Sequence, residues 1–195
     1  MSIDALISRH VLQLRKSCGF TLDELAERSG VSRSMISLIE RQETSATAVV
    51  LNKLAAALGV TLAALFADKR EKSEPSPLLR REDQKIWTDP ESGYVRRQLS
   101  PSGYPSSFEL VEVLFPAQQT VIFGSASHAP PGLHQQVLML EGEMEVTSGT
   151  ESWHIRTGDC LAMPIEPHIR FHNPSRSQAR YLVALTTTPS PMRRT

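Results

Sequence analysis

The sequence predicts a multidomain α + β chain: a small all-helical bundle followed by an antiparallel β-barrel. Three observations carry this. Residues 1–67 repeat their apolar positions at helical spacing, with Gly or Ser-Gly at several of the breaks. Residues 68–86 lose that pattern, alternate charges of both signs and hold the two prolines of SEPSP, which suits a solvated linker. From residue 87 to 187 the apolar period changes to two, and Pro, Gly, Asn and Ser punctuate short runs. Residues 188–195, with two prolines and no apolar pattern, read as a loose tail.

Composition bounds the function. At 40% hydrophobic and 22% charged residues the chain folds around a core. A net charge of zero excludes a grossly basic nucleic-acid binder, although a local patch is enough to bind DNA. Cys18 and Cys160 lie far apart without a CxxC motif and read as free thiols of a reducing compartment. The first residues, MSIDALISRH, lack the apolar run of a signal peptide, and no later segment approaches the ~20 apolar residues of a membrane span. The chain is therefore expected to be cytoplasmic, with no membrane partner.

The helical part is read in order. Ile3, Leu6, Ile7, Val11 and Leu14 form the stripe of a first helix that Gly19 ends. Thr21 caps a second helix and forms a capping box with Glu24; Leu22, Leu25 and Ala26 repeat at helical spacing. Gly30 supplies the positive φ that stops it. Ser32 caps a third helix with Met35, Ile36 and Ile39 as its stripe, and Arg33, Ser34 and Ser37 as its polar face. Thr47 opens a fourth helix, in which Val50, Leu51, Leu54 and Leu58 face inward until Gly59. Thr61 opens a fifth, LAALFA.

The stretch LRKSCGFTLDELAERSGVSRSMISLIERQETSATAVVLNKLAAALGV resembles the helix-turn-helix domain of the phage-repressor-like regulators, the XRE family. The resemblance implies that Ser32, Arg33, Ser34 and Ser37 face a DNA major groove, with Arg33 able to fork onto a guanine. It implies that Thr21 and Leu22 offer backbone N–H groups to a phosphate, and that Arg41 and Gln42 hold the DNA backbone beyond the recognition helix. Arg15 and Glu40 correspond to a buried ion pair of the family. One departure is visible: the loop after IER is usually Gly-containing, and here it is QETSATA. One nearly neutral domain should bind DNA weakly, so two copies on a palindromic double-stranded operator, a homodimer, are expected.

In the C-terminal part, nine short runs read as strands: 94–99, 108–115, 120–123, 135–140, 144–147, 152–155, 160–163, 168–171 and 181–186. Gly142 and Gly149 are expected to make hairpins, and Gly158-Asp159 a further turn. LEGEMEV and GDCLAMPIEPHIRFHN resemble the cupin fold, a small double-sheet jelly-roll barrel. A helix-turn-helix domain followed by a cupin implies a transcription regulator whose barrel senses a small molecule and dimerises.

The cupin metal pattern is degenerate here. Counting back from Gly142 puts Gln135 at the carboxylate position; His128 fits the first His, Pro130 occupies the second, and His168 fits the last. Neutral Gln is a poor metal ligand beside a carboxylate. His134 could substitute, but strand alternation points it away from Gln135. Three alternatives stand: a divalent metal such as zinc on His128 and His168 with His134 or Gln135; a metal-free pocket keeping them as polar anchors; or a packed barrel. Arg170 shares a face with His168 if the strand is regular. A ligand site of His128, Gln135, His168 and Arg170 then suits a carboxylate such as an amino acid. The alternative for Arg170 is a rim ion pair with Glu166 or Glu109. An enzyme reading, a non-haem iron oxygenase or epoxidase of the same layout, needs the missing carboxylate, so no enzymatic activity is expected.

Overall fold

The computed structural model describes residues 2–66, 76–124, 134–166 and 168–186. The first part of the predicted linker, its Asp68 to Pro75, and the whole predicted tail fall outside the described residues, as does His128.

Four α-helices open the chain: α1 (Ile3–Ser17), α2 (Leu22–Ser29), α3 (Arg33–Glu40) and α4 (Ala48–Ala57). Each has a side-chain N-cap. Ser2, Thr21, Ser32 and Thr47 accept from the N–H of Ala5, Glu24, Met35 and Val50. The capping box at Thr21 is complete, since Glu24 Oε2 accepts the Thr21 N–H at 2.7 Å. Leu6, Ile7, Val11, Leu25, Ile36, Ile39, Leu51 and Leu54 are buried and form the bundle core. Arg15 clamps α1 to α3, with Nε and Nη2 each 2.7 Å from a Glu40 carboxylate oxygen. It also donates to the Phe20 carbonyl at 2.9 Å.

The expected fifth helix is instead a 3₁₀ turn, Leu62–Leu65. Four residues do not repay helix nucleation, and burial of Leu65 and Phe66 holds the turn in place of a longer hydrogen-bond ladder. The Leu65 carbonyl lies 2.9 Å from His10 Nδ1, which ties the turn to α1.

The remainder is two antiparallel sheets packed face to face. The first has the order β1-β2-β3-β10-β5-β8 and the second β4-β9-β6-β7. The strands are β1 (Ile86–Thr88), β2 (Val95–Gln98), β3 (Phe108–Phe115), β4 (Thr120–Phe123), β5 (His134–Glu141), β6 (Glu143–Ser148), β7 (Glu151–Arg156), β8 (Cys160–Pro164), β9 (Ile169–His172) and β10 (Ala179–Thr186). This is the cupin-type double-sheet barrel. Its core comes from alternate residues of both sheets, among them Val111, Val137, Met139, Met144, Val146 and Phe171, all buried.

Three local expectations change. Ile86, expected in the linker, opens β1, which pairs with β2 on the edge of the larger sheet. Gly142 does not turn a hairpin: β5 lies in one sheet and β6 in the other, so its φ of 83° turns a corner between sheets. A Cβ there would stand 3.2 Å from the Ala179 Cα, so the corner also needs the missing side chain. Gly149 does turn a hairpin, between β6 and β7. The strand expected from His168 begins one residue later, because His168 takes a left-handed φ of 66°.

The two parts share one apolar core. An unbroken run of aromatic contacts leads from the helical part into the far sheet: Phe66, Trp87, Tyr94, Phe115, Tyr181, Phe171 and Phe123, with successive ring centroids 5.5–6.4 Å apart. Buried Asp89, just after β1, accepts the Ala48 N–H at 2.9 Å, so a carboxylate of the barrel part sits on the first turn of α4. Among the described residues no helix is long and apolar enough to cross a membrane.

Candidate functional sites

Helices α2 and α3 form a helix-turn-helix unit whose outer face collects the residues expected to meet DNA. Gly30 at φ 65° makes the turn, and Val31 beneath it is buried. Ser32, Arg33 and Ser34 are exposed at the start of α3, while Ile36 and Ile39 pack inward. Arg33 Nε lies 3.2 Å from Asp23 of α2, both side chains well exposed. In water such a pair holds roughly 0–1 kcal/mol, so it aims Arg33 outward without trapping it. Arg41 donates to Ser37 Oγ at 2.6 Å and to both Glu43 oxygens at 2.8 and 2.9 Å, which fixes a cation at the end of the recognition helix. Gln42 opens the loop that follows α3. At φ 63° it forms a Schellman end: its N–H reaches the Ile39 carbonyl at 3.0 Å, and the Glu43 N–H reaches Leu38 at 2.9 Å. Thr21 and Leu22 stand at the start of α2, where Glu24 already takes the Thr21 N–H.

A second site lies at the junction of the two parts. A cavity of about 140 Å³ is walled on one side by Asn52, Ala56, Val60, Thr61 and Leu62, and on the other by inward residues of both sheets. Apolar groups dominate the barrel wall: Val113, Phe115, Phe123, Ile165, Ile169, Phe171, Val183 and Leu185. Five polar side chains of the barrel join them, namely Tyr94, Arg96, Gln135, Tyr181 and, exposed, Glu166. Burial pushes the Tyr94 hydroxyl up to about 12 and raises Tyr181 well above its ordinary value, so both stay protonated.

Arg96 is the exceptional member. It is 8% exposed, and its Nε and Nη2 are buried with no hydrogen-bond partner among the described residues. Its guanidinium carbon stands 5.3 Å from the centre of the Phe66 ring. A cation–π contact returns about 0.5–2 kcal/mol, against a desolvation penalty of several kcal/mol for a buried ion. The neighbouring Arg97 faces the other way and pairs with Glu112 at 3.1 Å, as does Arg180 at 2.8 Å. Two more unpartnered buried atoms belong to the same sheet, Gln98 Oε1 and Glu109 Oε2. Burial raises the Glu109 carboxyl and lowers the Arg96 guanidinium, and each charge pulls the other partway back.

The comparisons bear first on the helical part. The family described as Helix-turn-helix, HTH_3, matches residues 11–65. The HTH-type transcriptional regulator y4dJ of Sinorhizobium fredii is 36% identical over 61 residues, which span 31% of this chain and 79% of that protein. The chain belongs to the XRE family of helix-turn-helix transcription regulators. The regulator's similarity extends past that domain. The HTH-type transcriptional regulator PuuR of Escherichia coli is 25% identical over 182 residues, covering 92% of this chain and 94% of PuuR. A crystal structure of an HTH_3 family transcriptional regulator from Vibrio cholerae shares the fold with a TM-score of 0.73 at 24% identity, over 97% of this chain and 98% of that one.

The barrel residues expected from sequence divide. Gln135 is buried and lines the cavity, and His134 beside it is exposed, as strand alternation requires. His134 therefore faces away from the cavity and does not serve there as a metal ligand. His168 is exposed and outside the cavity wall. Arg170 is also displaced: with His168 out of the strand, Ile169 and Phe171 take the inward positions. Arg170 Nη1 then lies 3.8 Å from Glu145 on the outer face, a partner other than the expected Glu166 or Glu109. Among the described residues no three His, Cys, Asp or Glu side chains converge as metal ligands. A metal in the cavity fits this donor set poorly, since the wall offers two neutral amides, Asn52 and Gln135, and a single carboxylate, Glu166, beside the Arg96 cation.

Arg96 escaped the sequence reading because VRRQ, at Val95–Gln98, carries no apolar alternation to say which arginine faces in. The usable signal was Tyr94, whose parity Arg96 and Gln98 share.

Proposed function

We propose that the protein binds a pseudo-palindromic operator as a homodimer in the cytoplasm, and that a small molecule in the junction cavity changes its DNA affinity. Two chains are needed because one α3 face offers only Arg33 and Arg41 as cations, too few for strong phosphate neutralisation. The observation that carries the sensing half is the wall of the cavity: Asn52 and Ala56 belong to α4 of the DNA-binding domain, and the opposite wall to the barrel. A ligand there touches both, and prefers whichever domain arrangement it fits better; only that differential affinity can shift the equilibrium. The barrel binds without turnover in this reading, supported by the amide of Gln135 at the inward position where an iron oxygenase needs a carboxylate.

The test is in vitro selection of random duplexes by the full chain, followed by sedimentation of the selected complex. A palindromic consensus with two chains per duplex is expected. One chain per duplex on an asymmetric site, or no enrichment, overturns the reading.

A further inference from the structure

The junction cavity holds a buried cation, Arg96, that makes no ion pair among the described residues; Glu166, the carboxylate in the cavity wall, is exposed. Other arginines among the described residues have a carboxylate: Arg15 has Glu40, Arg33 has Asp23, Arg97 and Arg180 share Glu112, and Arg41 has Glu43. Arg96 is instead turned into the barrel, over the Phe66 ring, with Nε and Nη2 unsatisfied among the described residues. Glu109 is within electrostatic reach but forms no ion pair with it, and its own carboxyl is pushed toward the protonated form. Buried polar atoms in native structures are normally satisfied, and a guanidinium presents a planar fork that matches a carboxylate.

We infer that Arg96 anchors the effector, and that the effector is a small monocarboxylate with a compact apolar body. The inference rests on the sensor reading above and names its ligand class. The carboxylate takes two N–H bonds from the guanidinium, with the Gln135 amide available as a further donor. The body lies against Val113, Phe171, Val183 and Ile165. Size follows from the volume: about 140 Å³ compares with the roughly 150 Å³ apolar cavity that admits benzene, so a ring or branched chain of about six carbons fits. Because Phe66 lies under the guanidinium and Leu62 lines the wall, such a ligand also sets the contact between the helical domain and the barrel.

The test uses the full chain and four probes: benzoate and 4-methylpentanoate, and their primary amides. Thermal unfolding and calorimetry are run on wild type, Arg96→Met and Arg96→Lys. The carboxylates should bind and raise Tm, the amides should bind at least tenfold more weakly, Arg96→Met should erase the difference, and Arg96→Lys should restore part of it. Arg96→Met should also raise Tm without ligand, since it removes an unpaired buried charge; an arginine with a merely structural role would give a fall. Equal binding of acids and amides, or carboxylate binding unchanged in Arg96→Met, overturns the inference. If neither acid binds but an amine or neutral probe alters affinity for selected DNA, the ligand class is wrong and the sensor reading stands. If no probe of any charge alters DNA affinity, the sensor reading falls with it.

Discussion

Asp89 Oδ1 accepts the backbone N–H of Ala48 at 2.9 Å, so the barrel part caps the first turn of a helix in the DNA-binding domain. Its other oxygen accepts from the Ser92 N–H at 3.0 Å, and the residue is 2% exposed. With Trp87 against Phe66, this bond makes the junction a fixed contact through which a cavity ligand can act on α4.

Asp89→Ala should destabilise the protein by about 2 kcal/mol, the cost of leaving buried donors unpaired plus the lost charge at a helix N-terminus. Urea unfolding measures it. Because the cap joins the two domains, the variant should also show weaker coupling between cavity and DNA. A loss under 0.5 kcal/mol would mean that the cap carries little of the junction.

Gln42→Gly should stabilise the chain by about 0.5–1 kcal/mol. Glycine relieves the left-handed strain, and its greater freedom in the unfolded chain takes back part of that gain. Thermal unfolding reads the sign. If the Gln42 side chain also holds the DNA backbone, affinity falls while stability rises, a split that a purely structural residue does not give.

Arg33→Ala should weaken binding to the selected duplex by about 1–3 kcal/mol and relax choice at one base position. Stability should stay within about 0.5 kcal/mol, because the pair with Asp23 is exposed. Unchanged affinity in an electrophoretic mobility or anisotropy titration would remove Arg33 from the base-reading set.

The helical half was legible because its signals are local. Caps, glycine stops and the Arg15–Glu40 correspondence depend on residues close in sequence or on a specific family pattern. The strand positions of β3 and β4 were equally plain from period-two alternation. What failed was parity at special backbone positions. A regular strand would put His168 and Arg170 on one face; at φ 66° His168 stays outside β9, in which Ile169 and Phe171 face in and Arg170 faces out. Parity with Tyr94 turns Arg96 inward, but the roles of Arg96 and of the Asp89 cap come from Phe66 and Ala48, 30 and 41 positions earlier in the chain, and no local pattern carries them.

Glu109 gives a pH signature. Burial raises its carboxyl above the ordinary value, and the Arg96 cation lowers it partway back. A raised carboxyl favours the native state while protonated. That stability is fully present below the unfolded value, about 4.3, and is lost as pH climbs through the raised native one. Glu109→Gln removes this term. The stability difference, variant minus wild type, should therefore grow from about pH 4.3 upward and level off above the native value. Urea unfolding across pH checks it; a difference that shrinks with rising pH would contradict the assignment.

The central claim is that the cavity and the recognition helix are energetically coupled. The most direct measurement is reciprocal: the affinity of the best-binding carboxylate for the free protein and for the protein–DNA complex, beside the DNA affinity with and without that carboxylate. The account predicts the same ratio from both directions, about 5–150-fold, as linkage requires for a coupling of about 1–3 kcal/mol. Identical carboxylate affinity in the presence and absence of DNA would show that the cavity does not speak to the helix-turn-helix domain, and would contradict it.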